Sequence, residues 1–157
     1  MKVNIIFSSV YGNTKEVTNQ IADSLSEFFP KTINVMHVRD ASLLDCDLLI
    51  IGSPTHGGRA TSDILKFLNN LKEEEIKEKR VAVFDTRLEA AKQAFALKML
   101  MKVIGYAAPK MASYLKRRGA RVLAQAGFIV SDKTGPLDKN VEKEINLFVS
   151  QMKEGIK

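Results

Sequence analysis

The sequence predicts an α/β fold: a doubly wound, five-stranded parallel sheet in the order 2-1-3-4-5, with helices on both faces and residues 1–157 forming a single domain. Three observations carry this. The runs Val3–Phe7, Leu48–Gly52 and Val81–Phe84 are nearly continuous in apolar character, which calls for burial on both faces as in a parallel sheet. Segments with apolar residues at helical spacing alternate with these runs. The unusual polar loops follow strands 1, 3 and 4 and not strand 2, and a sheet of that order gathers its ligand at the carboxyl ends of strands 1 and 3.

Each element follows in order. Val3-Asn4-Ile5-Ile6-Phe7 forms the first strand, and Val17, Ile21, Leu25 and Phe28 recur at helical spacing until Pro30. Ile33, Val35 and Val38 mark a second strand, in which His37 reads as structural. Leu48-Leu49-Ile50-Ile51-Gly52 is the third strand, and Ile64, Phe67, Leu68 and Leu71 form a helix face that ends in a charged stretch. Val81-Ala82-Val83-Phe84 is the fourth. Residues from 88 to 118 are helical in composition, with breaks near Gly105 and Pro109. Phe128-Ile129-Val130 is the last strand, and Val141, Ile145 and Phe148 mark the closing helix.

Composition narrows the function classes. A chain of 157 residues with 45% hydrophobic content has enough apolar surface for a real core. The apolar start ends at Ser8, too early for a secretory signal or a membrane span, so the expected location is cytoplasmic. The single cysteine, Cys46, rules out an internal disulfide and a cysteine metal cluster and reads as a small half-buried residue. No metal-ligand set stands out. Net charge is +6, but the basic residues are spread along the chain; only Lys116-Arg117-Arg118 with Arg121 is dense, and no aromatic residues interleave it. That argues against nucleic acid as a partner and for a helix end whose cations complement the dipole before Gly119.

The helical stretch Phe95–Ile104 is more apolar than a surface helix requires. Leu97, Leu100, Met101 and Ile104 fall on one face, with Phe95, Met99 and Val103 on another. Such a helix is either buried on two sides or supplies a homodimer contact or the wall of a substrate pocket. With Lys98 and Lys102 in so short a stretch, it does not span a membrane.

The run Ser8-Ser9-Val10-Tyr11-Gly12-Asn13-Thr14, at the handover from first strand to first helix, has the composition of a phosphate cradle. It lacks the second glycine and the Lys of a Walker loop and the three glycines of a dinucleotide fingerprint. Hydroxyls and one glycine suit a terminal phosphate monoester; the plain alternative is an N-cap at Asn13 or Thr14. Ser53-Pro54-Thr55-His56-Gly57-Gly58-Arg59 follows strand 3, and Asp85-Thr86-Arg87 follows strand 4. A phosphorylatable receiver domain shares the topology, but strand 1 ends in Ser8-Ser9 and strand 3 in Gly52-Ser53, where acidic residues are needed.

With these loops in view, nearly the whole chain resembles the flavodoxin family, and Phe84–Arg87 with Gly135-Pro136-Leu137 is similar to a branch of small flavodoxin-domain proteins. The resemblance implies FMN as cofactor. It implies Ser9, Tyr11, Asn13 and Thr14 around the phosphate, within the loop Ser8 to Thr14 that includes Val10 and Gly12. It further implies Ser53, Pro54, Thr55, His56, Gly57 and Gly58 along the ribityl chain and ring, and Asp85, Thr86 and Arg87 near the pyrimidine side. The implied function is electron transfer between a reduced donor and an acceptor, the acceptor being a redox partner protein or a small molecule. An FMN-dependent NAD(P)H:quinone reductase, a flavodoxin-type protoporphyrinogen oxidase and a flavin-free interaction module are the alternatives. Two departures from the family stand out: His56 replaces an aromatic residue in the second loop, and Arg59 and Arg87 bring positive charge where the family carries negative.

Overall fold

In the computed structural model, which describes residues 1–37, 44–89 and 94–157, five strands pair in parallel in the order β2-β1-β3-β4-β5. They are β1 (Val3–Phe7), β2 (Lys31–Asn34), β3 (Leu48–Pro54), β4 (Arg80–Leu88) and β5 (Arg121–Val130). The helices are α1 (Asn13–Ser24), α2 (Ser62–Asn70), the single turn α3 (Glu73–Ile76), α4 (Phe95–Ile104), α5 (Ala107–Arg117) and α6 (Val141–Ile156). The predicted sheet order and fold class are those observed.

The continuous apolar runs are explained by two cores. Successive strand side chains point to opposite faces, so alternate residues of one run enter different layers. Ile6, Leu49, Ile51, Val81 and Val83 pack against Ile64 and Leu68 of α2, Ile76 of α3, and Met111 and Leu115 of α5. Val3, Ile5, Leu48, Ile50 and Phe84 pack on the other face against Val17 and Ile21 of α1 and Ile145 and Phe148 of α6. Phe84, Phe128 and Phe148 meet edge to face with ring centroids 5.8 to 6.3 Å apart. Gly52 makes room for them: a Cβ there would lie 2.2 Å from Cζ of Phe84.

Several expected boundaries move. β2 stops at Asn34, and Val35–His37 forms a 3₁₀ turn that leaves His37 exposed, so His37 is not a strand residue; Val38 lies outside the described residues. β4 runs on to Leu88 and β5 starts at Arg121, because each edge supports the other along a ladder from Arg80↔Arg121 to Leu88↔Val130. Among the described residues between them the helical segment breaks once, at Gly105 (φ 75°); Pro109 sits inside the first turn of α5, where a missing N–H removes no intrahelical bond. Lys116 and Arg117 stand in the last turn of α5 as expected, whereas Arg118 has a different use. The Arg118 guanidinium donates to the carbonyls of Leu68 and Leu71, so it closes the end of α2 rather than of its own helix. Cys46 is buried, and burial pushes its thiol up from the ordinary range.

Candidate functional site

The parallel register brings the three polar loops to one edge. Ser53 pairs with Asp85 and Pro54 with Thr86 across β3 and β4, and Ser8 N–H donates to the Gly52 carbonyl at 3.0 Å, fixing the first loop beside the second. Between them opens a cavity of about 370 Å³. Val10, Tyr11, Asn13 and Thr14 line it from the first loop, Pro54, Thr55, His56 and Gly57 from the second, and Thr86 and Arg87 from the end of β4.

The first loop is built around Gly12. Its φ of 97° is left-handed, and it occupies the N-cap of α1 with no side chain of its own to cap the helix. The expected N-cap role of Asn13 or Thr14 is therefore not observed. Helix starts leave their first N–H groups unpaired. Here Ser9 Oγ accepts the Lys15 N–H at 3.3 Å and the Gly12 carbonyl accepts that of Glu16 at 3.0 Å, which leaves the N–H groups of Asn13 and Thr14 at the open end of a 12-residue helix. That is a favourable position for an anion. The Asn13 amide donates to the Lys133 carbonyl at 2.8 Å, tying the loop to the segment after β5. Thr14 is buried, with its Oγ1 2.9 Å from Oγ1 of Thr86, so two loops distant in sequence share one hydroxyl contact.

The second loop is a tight hairpin. His56 and Arg59 exchange N–H···O bonds of 2.9 and 3.0 Å, and Gly57 (φ 55°) and Gly58 (φ 72°) supply the two positive φ angles that a type I′ turn demands. Thr55 Oγ1 accepts the Ala107 N–H at 3.0 Å, and its own N–H donates to the Thr86 carbonyl at 2.9 Å. The His56 ring faces Tyr11 with centroids 6.5 Å apart, so these two flank the mouth.

Six residues expected at the site do not line this cavity. Ser8 is buried in the sheet edge, Ser9 accepts the Lys15 N–H, and Gly12 shapes the turn. Ser53 is fully buried; its hydroxyl donates to the Pro54 carbonyl and accepts the Thr61 N–H, so it anchors the loop to α2. Asp85 is fully buried, held by Arg87 at 2.6 and 2.7 Å and by the Ala108 N–H at 2.7 Å, where it faces the start of α5. Gly58 lines a second cavity instead.

The charge expected at the site is corrected by the same contacts. Arg87 lines the cavity, but its guanidinium is neutralised by Asp85 and stacked 3.8 Å over the Tyr106 ring. Arg59 lines a separate groove between α2 and α5. The cation that borders the cavity without having been expected is Lys133, accompanied by Leu88 and Val130.

The second cavity, about 220 Å³, shares Thr55, Gly57 and Leu88 with the first. Its other walls include Leu100, Met101, Ile104 and Tyr106. The pocket-wall reading of α4 therefore describes those residues, whereas burial on two sides does not hold: Phe95 is 80% and Val103 83% exposed. The side chain of Leu97 lies outside those described. Ile104 comes so close to the hairpin that a Cβ on Gly58 would lie 2.0 Å from its Cγ2. Tyr106 had no sequence signal of its own beyond standing next to the Gly105 break.

Comparison with known proteins agrees with this architecture. The family model described as a flavodoxin domain matches residues 4–154. Among solved structures, the two-electron reduced flavodoxin of Megasphaera elsdenii superposes with a TM-score of 0.70 at 17% identity, over 96% of this chain and 99% of that one. Oxidised Flavodoxin 1 of Bacillus cereus gives 0.68 at 24% identity, with 98% of each chain covered. The Fusobacterium nucleatum flavodoxin bound to flavin mononucleotide gives 0.70 at 17% identity, with 99% of each covered. No curated protein sequence matches the chain. A sheet of order 2-1-3-4-5, three polar loops at its carboxyl edge and a family match across nearly the whole length lead to one conclusion: the chain belongs to the flavodoxin-domain family.

Proposed function

We propose that residues 1–157 are a single FMN-binding domain that passes electrons between a reduced donor and an acceptor. The observation that carries this reading is the uncapped start of α1 at the edge of the cavity. The N–H groups of Asn13 and Thr14 point a partial positive charge at a site bordered by the Thr14 and Thr86 hydroxyls, which suits a phosphate monoester. The two neighbouring cavities, about 370 and 220 Å³, together have the size of a small-molecule site, and their walls grade from hydroxyls at the α1 end to Leu88, Ile104 and Tyr106 at the other. A ligand with a phosphate at one end and a flat apolar ring at the other fits that gradient. Bound FMN would supply the redox chemistry.

This chain's own residues bind and orient. Since Thr14 Oγ1 and Thr86 Oγ1 share one hydrogen bond, one O–H is satisfied between them and the second is free to donate to an anion. The hairpin Thr55–Gly58 brings backbone close to a ring, and Tyr11 with His56 shields the mouth. The apolar second cavity favours one further reading, a reductase that acts on a small apolar acceptor such as a quinone.

Apoprotein titrated with FMN and assayed anaerobically with NADH and NADPH separates these readings. Yellow holoprotein reduced only through a partner protein supports a carrier, and turnover with a soluble quinone supports the reductase. Colourless protein that refuses FMN contradicts both.

A further inference from the structure

We propose that the outer face of α4, with the lysines that border it, is a contact surface for an anionic lipid bilayer. This goes beyond the cofactor reading and does not depend on it.

The helix is apolar where solvent should meet charge. Phe95 is 80% exposed, Val103 83%, Leu100 51% and Met99 46%. At about 100° per residue these four share one outward arc, while Met101 and Ile104 turn inward to the second cavity. Lys98 and Lys102 run along one border of that arc, and the first turn has no acidic residue. A solvated helix of a monomeric protein does not place Phe, Met and Val together on its outer ridge without a use for them.

The charge pattern identifies the occupant. The cations on and beside the helix are Lys98, Lys102 and Lys110, and α4 and the first turn of α5 carry no Asp or Glu. Lys110 reaches the base of α4, with its Nζ on the Gly58 carbonyl at 2.7 Å. A protruding apolar ridge edged by cations is the pattern of a helix that lies in the headgroup region, where apolar side chains enter the acyl boundary and lysines meet anionic lipid. A second copy of the chain is a poorer fit, because an antiparallel two-fold contact through this ridge brings the Lys98 and Lys102 border of one copy against that of the other. No helix among the described residues is long and apolar enough to cross a membrane, so the contact is peripheral. Because Leu100 belongs both to the exposed arc and to the wall of the second cavity, that cavity would open beside the lipid surface.

Cosedimentation of the full chain, with and without FMN, tests this on vesicles of phosphatidylcholine alone and of phosphatidylcholine with phosphatidylglycerol. The expected result is binding to the phosphatidylglycerol vesicles in both cofactor states, weakened by salt, and little binding to the neutral ones. Phe95→Glu with Val103→Glu should reduce that binding by about tenfold or more, and Lys102→Glu should weaken it while leaving thermal stability unchanged. Failure to bind anionic vesicles, or equal binding by the double variant with an unaltered melting temperature, overturns the proposal. So does a dimer, seen by light scattering, that Phe95→Glu with Val103→Glu dissociates.

Discussion

Asp85 and Arg87, two residues apart on one face of β4, form a bidentate pair at 2.6 and 2.7 Å, and the Asp85 carboxylate is fully buried while the Arg87 side chain is 19% exposed. The same carboxylate accepts the Ala108 N–H, so it joins the end of β4 to the start of α5. Asp85→Ala leaves a largely buried guanidinium and an N–H without their acceptor, and a loss of about 3 kcal/mol in urea unfolding is expected. Arg87→Lys keeps the charge but not the fork or the stacking on Tyr106, and should lose about 1 kcal/mol. Unchanged unfolding midpoints in both variants would show that the pair contributes nothing to the fold.

The hairpin makes a second expectation. Gly58→Ala meets both a left-handed backbone and the Ile104 side chain, whereas Gly57→Ala meets only the backbone, since nothing lies within 4 Å of its added Cβ. Gly57→Ala should cost about 1 kcal/mol and Gly58→Ala about 2–4 kcal/mol, read by thermal or urea unfolding. Equal losses would place Ile104 away from the turn.

Glu144, in the first turn of α6, carries a buried Oε2 without a hydrogen-bond partner, and burial, with Asp138 nearby, raises its carboxyl above the ordinary range. A carboxyl raised in the folded state favours the fold below its unfolded value, and that contribution is lost as pH rises through the folded value. Glu144→Gln should therefore match the parent at acid pH and exceed it at neutral pH, by less than about 1 kcal/mol because the group is only partly buried. Melting temperatures at pH 4 and pH 7 decide it.

The sequence made the sheet legible because β1, the stretch Leu48–Gly52 of β3 and the stretch Val81–Phe84 of β4 are buried on both faces and nearly continuous in apolar character. β5 was legible only at its end: Arg121, Gln125 and the small residues Ala124, Ala126 and Gly127 mask a ten-residue edge strand whose length is set by its pairing with β4. Within the site, Asn13, Thr14, Thr55 and Thr86 were readable as polar residues at strand ends. Ser53 was readable as polar but not as consumed, since its partners at Pro54 and Thr61 depend on the turn between them. Lys133 and Tyr106 reach the cavities from after β5 and after the Gly105 break, and nothing local in sequence announces those tertiary positions.

Thr14→Ala tests the hydroxyl pair. It removes the contact with Thr86 and one donor at the start of α1, and should weaken FMN by about 1–3 kcal/mol with little effect on riboflavin. Parallel losses for both flavins would move Thr14 away from the phosphate.

The central claim is that the uncapped start of α1 holds a phosphate, and side-by-side titration of the apoprotein with FMN and riboflavin, followed by flavin fluorescence, tests it most directly. Charge-assisted bonds from the Asn13 and Thr14 N–H groups and a threonine hydroxyl should make FMN bind about 100-fold or more tighter, a difference of about 3 kcal/mol. Equal affinity for the two flavins would contradict the claim.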